Sequence, residues 1–545
     1  MTDSKADFNP FGKLTYLVID DFENFRLSMR QMLRSCGADK IELVAHANQA
    51  IQYCTYNHVD VVLCDFKLGE GKNGQHILEE LRHKKLLKRS SLFLMVTAET
   101  SKEMVMGARE YQPDAYLTKP INRAVLEKRL GALISQRNIL LPINREIDRE
   151  NYPEAISLCL QALPRQPRYK TWLMKTLGDL YFQLGDLAHA LKIYDDVLAQ
   201  RELSWAKLGR CKVLLAKRSL DEAVDGLRDL LTKHADYMEA YDLLAEGLER
   251  QGRPTQAQQV LEKAAEHSPN ALLRQKHLAE LAGSNQDMDT ASDAWRRTVE
   301  LGTYSIHDNS EHYLALGQTL SDLSEGDLNE AGAEKAKEAL AVLKKMEKRF
   351  DGEDGIGLRS RIVQCRIYAG QGQDRQAAKI LESIRPELQD TTVLDARTGL
   401  DYAKTLFRLG HESDAKQLLA EMSERFSNDP ETLQKIESLL DEPVGFRQKI
   451  KARALNRDGI KAFESGNLQE AAETFSKALE IVPDHAALNL NLVQVLMKEH
   501  DNNPTSTELL KRCQSCLDRL SGLPEQHRQH RRYIALKRKL KGLME

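Results

Sequence analysis

The chain has 545 residues, of which 78 are Lys or Arg and 81 Asp or Glu, and 41% are hydrophobic. That length exceeds what one hydrophobic core serves, and the composition excludes a disordered chain. A net charge of −3 gives no global argument for a nucleic-acid or membrane partner.

The N-terminal MTDSKADFNPFGK has no basic stretch followed by an apolar one, and no run long enough to span a bilayer occurs. Eight cysteines spread over the chain, several in apolar patterns (Cys64, Cys159, Cys211, Cys365), make no disulfide framework. A cytoplasmic protein with no membrane insertion is expected.

The first part alternates β-branched runs with amphipathic stretches. Leu14–Ile19 reads as a buried strand and Glu23–Ser35 as the helix after it. Further strands are expected at Ile41–Ala45, Val59–Cys64, Leu92–Val96 and Ala115–Leu117. The helices fall at Asn48–Tyr56, Gly74–Leu87, Ser101–Glu110 and from Asn122 onward. Strands separated by such helices mean βαβ units and a parallel sheet covered on both faces. A ligand site is then expected at the carboxyl ends of the strands.

Those ends carry the polar residues. Asp20 and Asp21 follow the first strand, Asp65 the third, Thr97 and Ala98 the fourth; Tyr116 and Lys119-Pro120 mark the fifth. Carboxylates crowded at one sheet edge need a hard divalent cation, and Mg²⁺ suits an all-oxygen site. The ordered set resembles the receiver domain of bacterial two-component response regulators over residues 12–135, through DDF at 20–22, Arg26, Asp65, Thr97, Tyr116 and LTKP at 117–120.

This resemblance implies a CheY-like, flavodoxin-like doubly wound α/β fold with five parallel strands. It makes Asp65 the phosphoacceptor for a cognate histidine kinase or phosphotransfer protein. It also implies that Asp21, Asp65 and the backbone carbonyl of Lys67 ligate Mg²⁺, with Asp20 acting mainly through water. Lys119 would pair with phosphoryl oxygens, Thr97 would donate a hydrogen bond to one, and Tyr116 would swing inward as Thr97 moves. The loop FKLGEGKNG after Asp65 departs from the family by lacking Met-Pro and being slightly long, which bears on dephosphorylation rate and cation geometry. Its G-x-G-x-x-G, Gly69 to Gly74, follows the third strand and has no acidic residue about 20 positions on, so a dinucleotide site is set aside.

After residue 135 strand signals stop and a small-residue pattern recurs, as in Gly185/Ala190, Gly252/Ala257, Gly372/Ala377, Gly410/Ala415 and Gly466/Ala471. Alignment on the alanines gives repeat starts at 136, 171, 204, 238 and 272, close to the period of about 34 in tetratricopeptide repeats (TPR). The resemblance implies an all-α superhelical solenoid in which small residues let paired helices approach. Regular repeats are expected over 136–303. Irregular ones follow over 304–440, with starts near 310, 358 and 396 and an inserted helix expected at Ala331–Lys348. Turn signals at Phe426–Pro430 and Asp441–Gly445 precede a C-terminal repeat and basic capping helices over 441–545. The repeat from Gln136 begins where the last receiver helix should end, so little or no flexible linker is expected.

Such arrays bind proteins or peptides along the concave face lined by first helices. Candidate groove residues are Trp172, Lys175, Trp205 and Lys212, an acidic stripe of Glu239, Asp242, Glu246 and Glu249, and a basic stripe of Arg397, Lys404 and Arg408. The reading is a response regulator whose receiver controls protein contacts of the array, with an unidentified protein or peptide ligand; receiver homodimerisation stays open. The alternative is RNA binding through the basic segment His527–Lys541 or the groove, which no helix-turn-helix supports. No enzymatic output is expected beyond phosphoryl acceptance and self-dephosphorylation, since no P-loop, HExxH or G-x-S-x-G occurs. The lone Cys513/Cys516 pair lacks the further ligands of a zinc site and reads as ordinary helix surface and core.

Overall fold

The computed structural model describes residues 9–98, 113–388, 394–502, 507–523, 527 and 529–544. The chain forms two compact units, one ending at Asn309 and the other beginning at Ser310.

The first unit opens with a five-stranded parallel sheet: β1 (Thr15–Ile19), β2 (Lys40–Val44), β3 (Val61–Asp65), β4 (Leu92–Thr97) and β5 (Ala115–Thr118), in the order β2-β1-β3-β4-β5. Alternate strand residues go to opposite faces. Tyr16, Val18, Leu63, Leu94 and Val96 pack on helices α1 (Glu23–Ser35) and α4 (Arg123–Asp148) through Met29, Leu33, Leu126, Leu130 and Ile134. Leu17, Ile19, Val62, Cys64, Phe93 and Met95 pack on α2 (Ala47–Tyr56) and α3 (Gly74–His83) through Ala50, Cys54, Ile77, Leu78 and Leu81. Coverage on both faces explains why β3 and β4 read as continuous apolar runs.

Helix α3 stops at His83 rather than running to Leu87. Lys85 adopts φ 53°, and the amides of Leu86 and Leu87 both turn back to the carbonyl of Leu81, a left-handed termination. The helix expected at Ser101–Glu110 lies outside the described residues.

Helix α4 continues unbroken for 26 residues through the junction between sheet domain and repeats. Helix pairs then begin at Lys170, Ser204, Met238 and Leu272, each followed by a second helix from Leu187, Leu220, Pro254 and Met288. Close approach is physical: a β-carbon at Gly178 or Gly209 would come within 2.6 and 2.4 Å of the Tyr194 ring. That ring fills the space between neighbouring first helices, and its hydroxyl donates to Asp179 at 3.0 Å.

The second unit continues with pairs Ser310–Ser324/Glu330–Arg349, Ile356–Gly370/Asp374–Ile384 and Ala396–Arg408/Glu412–Arg425. The Ala/Lys/Glu-rich segment is therefore not an insertion. Its Leu343 packs onto Gly317 of the preceding helix, where a β-carbon would lie 2.9 Å away, so it is the second helix of its own pair, lengthened to 20 residues. Pro430–Asp441 lies between the two predicted breaks, and Phe446–Glu464/Leu468–Ile481, Ala486–Asn502/Thr507–Arg519 and His530–Met544 follow. Cys513 and Cys516 are buried, and burial pushes the Cys513 thiol up to about 12, as suits core positions. Among the described residues no helix is long and apolar enough to cross a membrane.

Candidate functional site

Because β1 and β3 are hydrogen-bonded neighbours while β2 lies on the far side of β1, their carboxyl ends meet where the strand order reverses. Asp20, Asp21 and Asp65 converge there, with an oxygen of each within 4.8 Å of the others. Asp20 is 1% exposed. Its Oδ1 accepts the Phe22 amide at 2.9 Å, which turns the chain into α1, and its Oδ2 accepts Lys119 Nζ at 2.7 Å. The same ammonium donates to Asp65 Oδ2 at 2.7 Å and lies 4.1 Å from the centre of the Phe25 ring. Arg26 Nη1 donates to the Asp20 carbonyl at 2.6 Å.

The electrostatics follow from this crowding. Burial raises the Asp65 pKa, opposed by Lys119 and reinforced by Asp20. Burial would depress Lys119, but its hydrogen bonds to Asp20 and Asp65 outweigh it and hold the ammonium above its ordinary value. Asp21 is different: its Oδ1 is buried and makes no hydrogen bond. A buried carboxylate oxygen without a partner is costly, and with Asp65 beside it the all-oxygen donor set fits a hard divalent cation such as Mg²⁺.

The remaining predicted residues frame this centre. Thr97 ends β4 and is buried, with its carbonyl accepting the Lys119 amide at 2.8 Å. Tyr116 is half-buried on β5, opposite Met95. Lys67 lies in the loop after β3, which passes the acidic centre at Gly69, where a β-carbon would lie 3.7 Å from Asp21 Oδ2.

Two contributors escaped the sequence reading. Phe25 offers its ring to Lys119; the available signal was an aromatic in the first turn of a helix that starts beside paired carboxylates. Gly74, first residue of α3, sits so close that a β-carbon would lie 2.3 Å from the Asp65 carbonyl and 3.0 Å from both Cys64 Sγ and Met95 Sδ.

The groove candidates are brought together unevenly. Trp172 and Lys175 line a cavity of about 1080 Å³ between the amino ends of β4 and β5 and the first repeat. Lys175, Trp205, Lys212 and Glu239 line a smaller one of about 370 Å³. Each residue of the acidic stripe already has a partner. Glu239 pairs with Lys212, Asp242 takes two hydrogen bonds from Arg274 at 2.8 Å, Glu246 pairs with Arg250, and Glu249 meets His277 at 2.6 Å. In the second unit Arg397 pairs with Glu311 at 3.2 Å and Arg408 with Glu325 at 2.7 Å, while Lys404 lies on the same helix. Glu239, Asp242, Glu249, Arg397 and Arg408 therefore pair between repeats, and Glu246 within its own helix, so the stripes are not fields of one sign.

Parallel strands in this order, with an acidic centre and a lysine over the ends of β1 and β3, define a receiver domain of the response-regulator class. Residues 16–131 match the response regulator receiver domain family, and residues 462–504 match a tetratricopeptide repeat. Similar relatives include chemotaxis protein CheY-3 of Vibrio cholerae, 26% identical over 120 residues that span 22% of this chain and 91% of that protein. Chemotaxis protein CheY of Pseudomonas aeruginosa is 25% identical over 122 residues, or 22% of this chain and 97% of that protein. Among solved structures, Vibrio cholerae CheY4 is 24% identical over 22% of this chain and 97% of its own, with a TM-score of 0.21. A MamA RS-1 double mutant is 20% identical over 30% of this chain and 93% of its own, with a TM-score of 0.27. The chain thus joins a CheY-like receiver domain to TPR-type helical repeats.

Proposed function

We propose that this protein is a response regulator in which Asp65 accepts a phosphoryl group from a histidine kinase or phosphotransfer protein, and that the receiver thereby controls protein contacts of the repeats. The observation that carries this reading is the convergence of Asp65, Lys119 and the Asp20–Asp21 pair on the paired ends of β1 and β3.

In the transfer a carboxylate oxygen of Asp65 attacks phosphorus. The new P–O bond forms as the P–N bond of the donor phosphohistidine breaks, and the electron pair leaves with the imidazole. Lys119, already held over Asp65, turns its ammonium to the arriving phosphoryl oxygens, and the Thr97 hydroxyl donates to one of them. Asp21, Asp65 and the Lys67 carbonyl would hold Mg²⁺, with Asp20 acting through water, and the ion would supply neutralising charge. Tyr116 then follows Thr97 inward, and the change reaches the repeats through α4, which belongs to both. We take residues 12–135 as the receiver, 136–303 and 304–440 as regular and irregular repeats, and 441–545 as the C-terminal repeat with its capping helices.

A cytoplasmic setting suits this reading, since the cysteines are free thiols. The RNA-binding alternative has no support from the family matches.

Incubation of the full-length protein with a phosphohistidine donor and Mg²⁺ tests the proposal. Wild type should take up one hydroxylamine-labile phosphoryl group, and Asp65→Asn none. Equal labelling of the variant would place the acceptor elsewhere.

A further inference from the structure

We propose that receiver helix α3 is an intramolecular latch that shuts the concave groove of the first repeats. The idea rests on the phosphoacceptor reading only for what releases the latch.

The repeats of the first unit leave the receiver through α4 and come back to it. Ser305, in the turn after the last helix of this unit, donates its hydroxyl to Glu79 Oε2 on α3 at 2.7 Å, across 226 residues of sequence. His307 Nε2 stands 3.5 Å from Glu79 Oε1, and the Glu79 side chain is 8% exposed. The His307 ring meets His83 edge-on at 6.2 Å between centroids, and Tyr304 meets His76 in the same way at 6.4 Å. Three side chains of α3, on one face of one helix, thus hold one short turn.

The two ends of this ring are unequal. At the near end the connection is covalent through α4. It is reinforced by the pairing of Arg137 with Asp60, by Arg137 Nε donating to the Ser90 carbonyl at 2.6 Å, and by the Arg89 amide on Asp148 at 2.8 Å. The far-end contacts include a hydrogen bond, a long ion pair and two ring edges, none of them covalent. Whatever strains the ring opens it there.

Behind the far end lies a chamber of about 990 Å³, walled by Glu79, Arg82 and His83 from the receiver and by Met238, Leu272 and Leu273 from the first helices of the repeats. These first helices carry the groove in which an extended peptide would lie, so α3 occupies its open side. Leu273 is 59% exposed, an apolar side chain turned into that space.

The latch is also mechanically tied to the acceptor. Helix α3 begins at Gly74, whose amide donates to the Phe66 carbonyl at 2.9 Å and where a β-carbon would lie 2.3 Å from the Asp65 carbonyl. The capping box between Asn73 and His76 makes the helix start rigid. A shift of the loop after Asp65 is therefore delivered to Glu79 along little more than one helical turn.

The test uses the full chain carrying Cys36→Ser, His83→Cys and Leu273→Cys, two chamber-lining positions that leave Glu79, Ser305 and His307 in place, with a short bismaleimide as probe and the crosslinked fraction read on a denaturing gel. At rest the pair should crosslink rapidly. Ser305→Asp sets a second carboxylate against Glu79 while keeping an acceptor for the His307 amide. It should slow crosslinking about tenfold with the unfolding midpoint unchanged. Mg²⁺ with beryllofluoride should do the same, and Asp65→Asn should cancel that effect. Slow crosslinking at rest, or a rate indifferent to Ser305→Asp, overturns the latch. A rate that responds to Ser305→Asp but not to beryllofluoride upholds the latch and counts instead against the acceptor as its trigger.

Discussion

Gly74 is seated against the backbone of Asp65: a β-carbon at Gly74 would fall 2.3 Å from the Asp65 carbonyl oxygen. The start of α3 thus touches the strand end that carries the candidate acceptor, and only glycine permits the approach.

Gly74→Ala follows directly. The severe clash, at 2.3 Å, is with the backbone carbonyl of Asp65, which cannot rotate aside as a side-chain tip can. Overpacking of this kind costs about 1–3 kcal/mol. The expected outcome is a lower denaturant midpoint for the receiver and, because the Asp65 loop must move, slower phosphoryl uptake. A variant with wild-type stability would show that the loop yields freely.

Lys119→Met removes a cation held between two buried carboxylates. Asp20 and Asp65 have side chains only 1% and 10% exposed, so their repulsion is poorly screened. Breaking a buried pair costs about 3–5 kcal/mol, and the 17% exposure of Lys119 places this case at the lower end. Mg²⁺ should bind the variant more tightly than wild type and raise its thermal midpoint by more, which calorimetry with and without the ion will measure. An equal response in both proteins would count against a cation site at Asp21 and Asp65.

Much of this architecture was legible because it repeats or alternates. Strand ends carrying Asp20, Asp65 and Thr97 were readable, since a parallel sheet must place them on one edge. Alanine spacing put first helices at 171, 204, 238 and 272, and the helices begin at Lys170, Ser204, Met238 and Leu272. Glu239, Asp242 and Glu249 were read as part of an acidic stripe because each was viewed along its own helix. Their partners Lys212, Arg274 and His277 sit 27, 32 and 28 residues away, close to one repeat, and a search one repeat in each direction would have found them. Glu79 and Ser305 offered no such period. Their meeting depends on the accumulated curvature of the whole arc, which local pattern does not encode. The long Glu330–Arg349 helix was misread because its composition resembles a solvated helix, whereas its buried Ala336, Ala339, Leu343 and Met346 form a packed face.

His76 makes α3 sensitive to acid. Its Nδ1 accepts the Asn73 amide at 3.2 Å while Asn73 Oδ1 accepts the His76 amide at 3.0 Å, an arrangement that needs the neutral ring. Burial, and then the Lys72 ammonium, lower its pKa from 6.5 to about 4. The unfolded chain therefore takes up the proton first as pH falls. Its contribution is complete above pH 6.5, declines between 6.5 and about 4, and is flat below. Discounted for a half-buried ring, the loss is about 2 kcal/mol. His76→Gln keeps a capping-box side chain that does not titrate, so the difference in stability between the two proteins should change across that window. A constant difference would mean that the ring does not titrate there.

Glu442 offers the corresponding case in the second unit, with the opposite charge. Its side chain is 4% exposed and accepts Arg453 Nε at 2.8 Å and Nη2 at 2.6 Å, with Lys449 Nζ at 3.0 Å and His485 Nε2 at 3.7 Å. Burial pushes the carboxyl up, but His485, Arg453 and Lys449 together hold it far below the ordinary range. Glu442→Gln keeps the shape and removes the charge, leaving two cations to face an amide. Arg453 is 41% exposed and Lys449 22%, so part of the loss is returned by water, and about 2 kcal/mol is expected. Because the folded pKa is depressed, this contribution is present above the unfolded value near 4.5 and is lost as pH falls below it. Hydrogen exchange in helix Phe446–Glu464 should therefore be faster in the variant at pH 7, with the gap closing in acid as Glu442 of the unfolded wild-type chain protonates. A gap unchanged by pH would assign the effect to packing rather than charge.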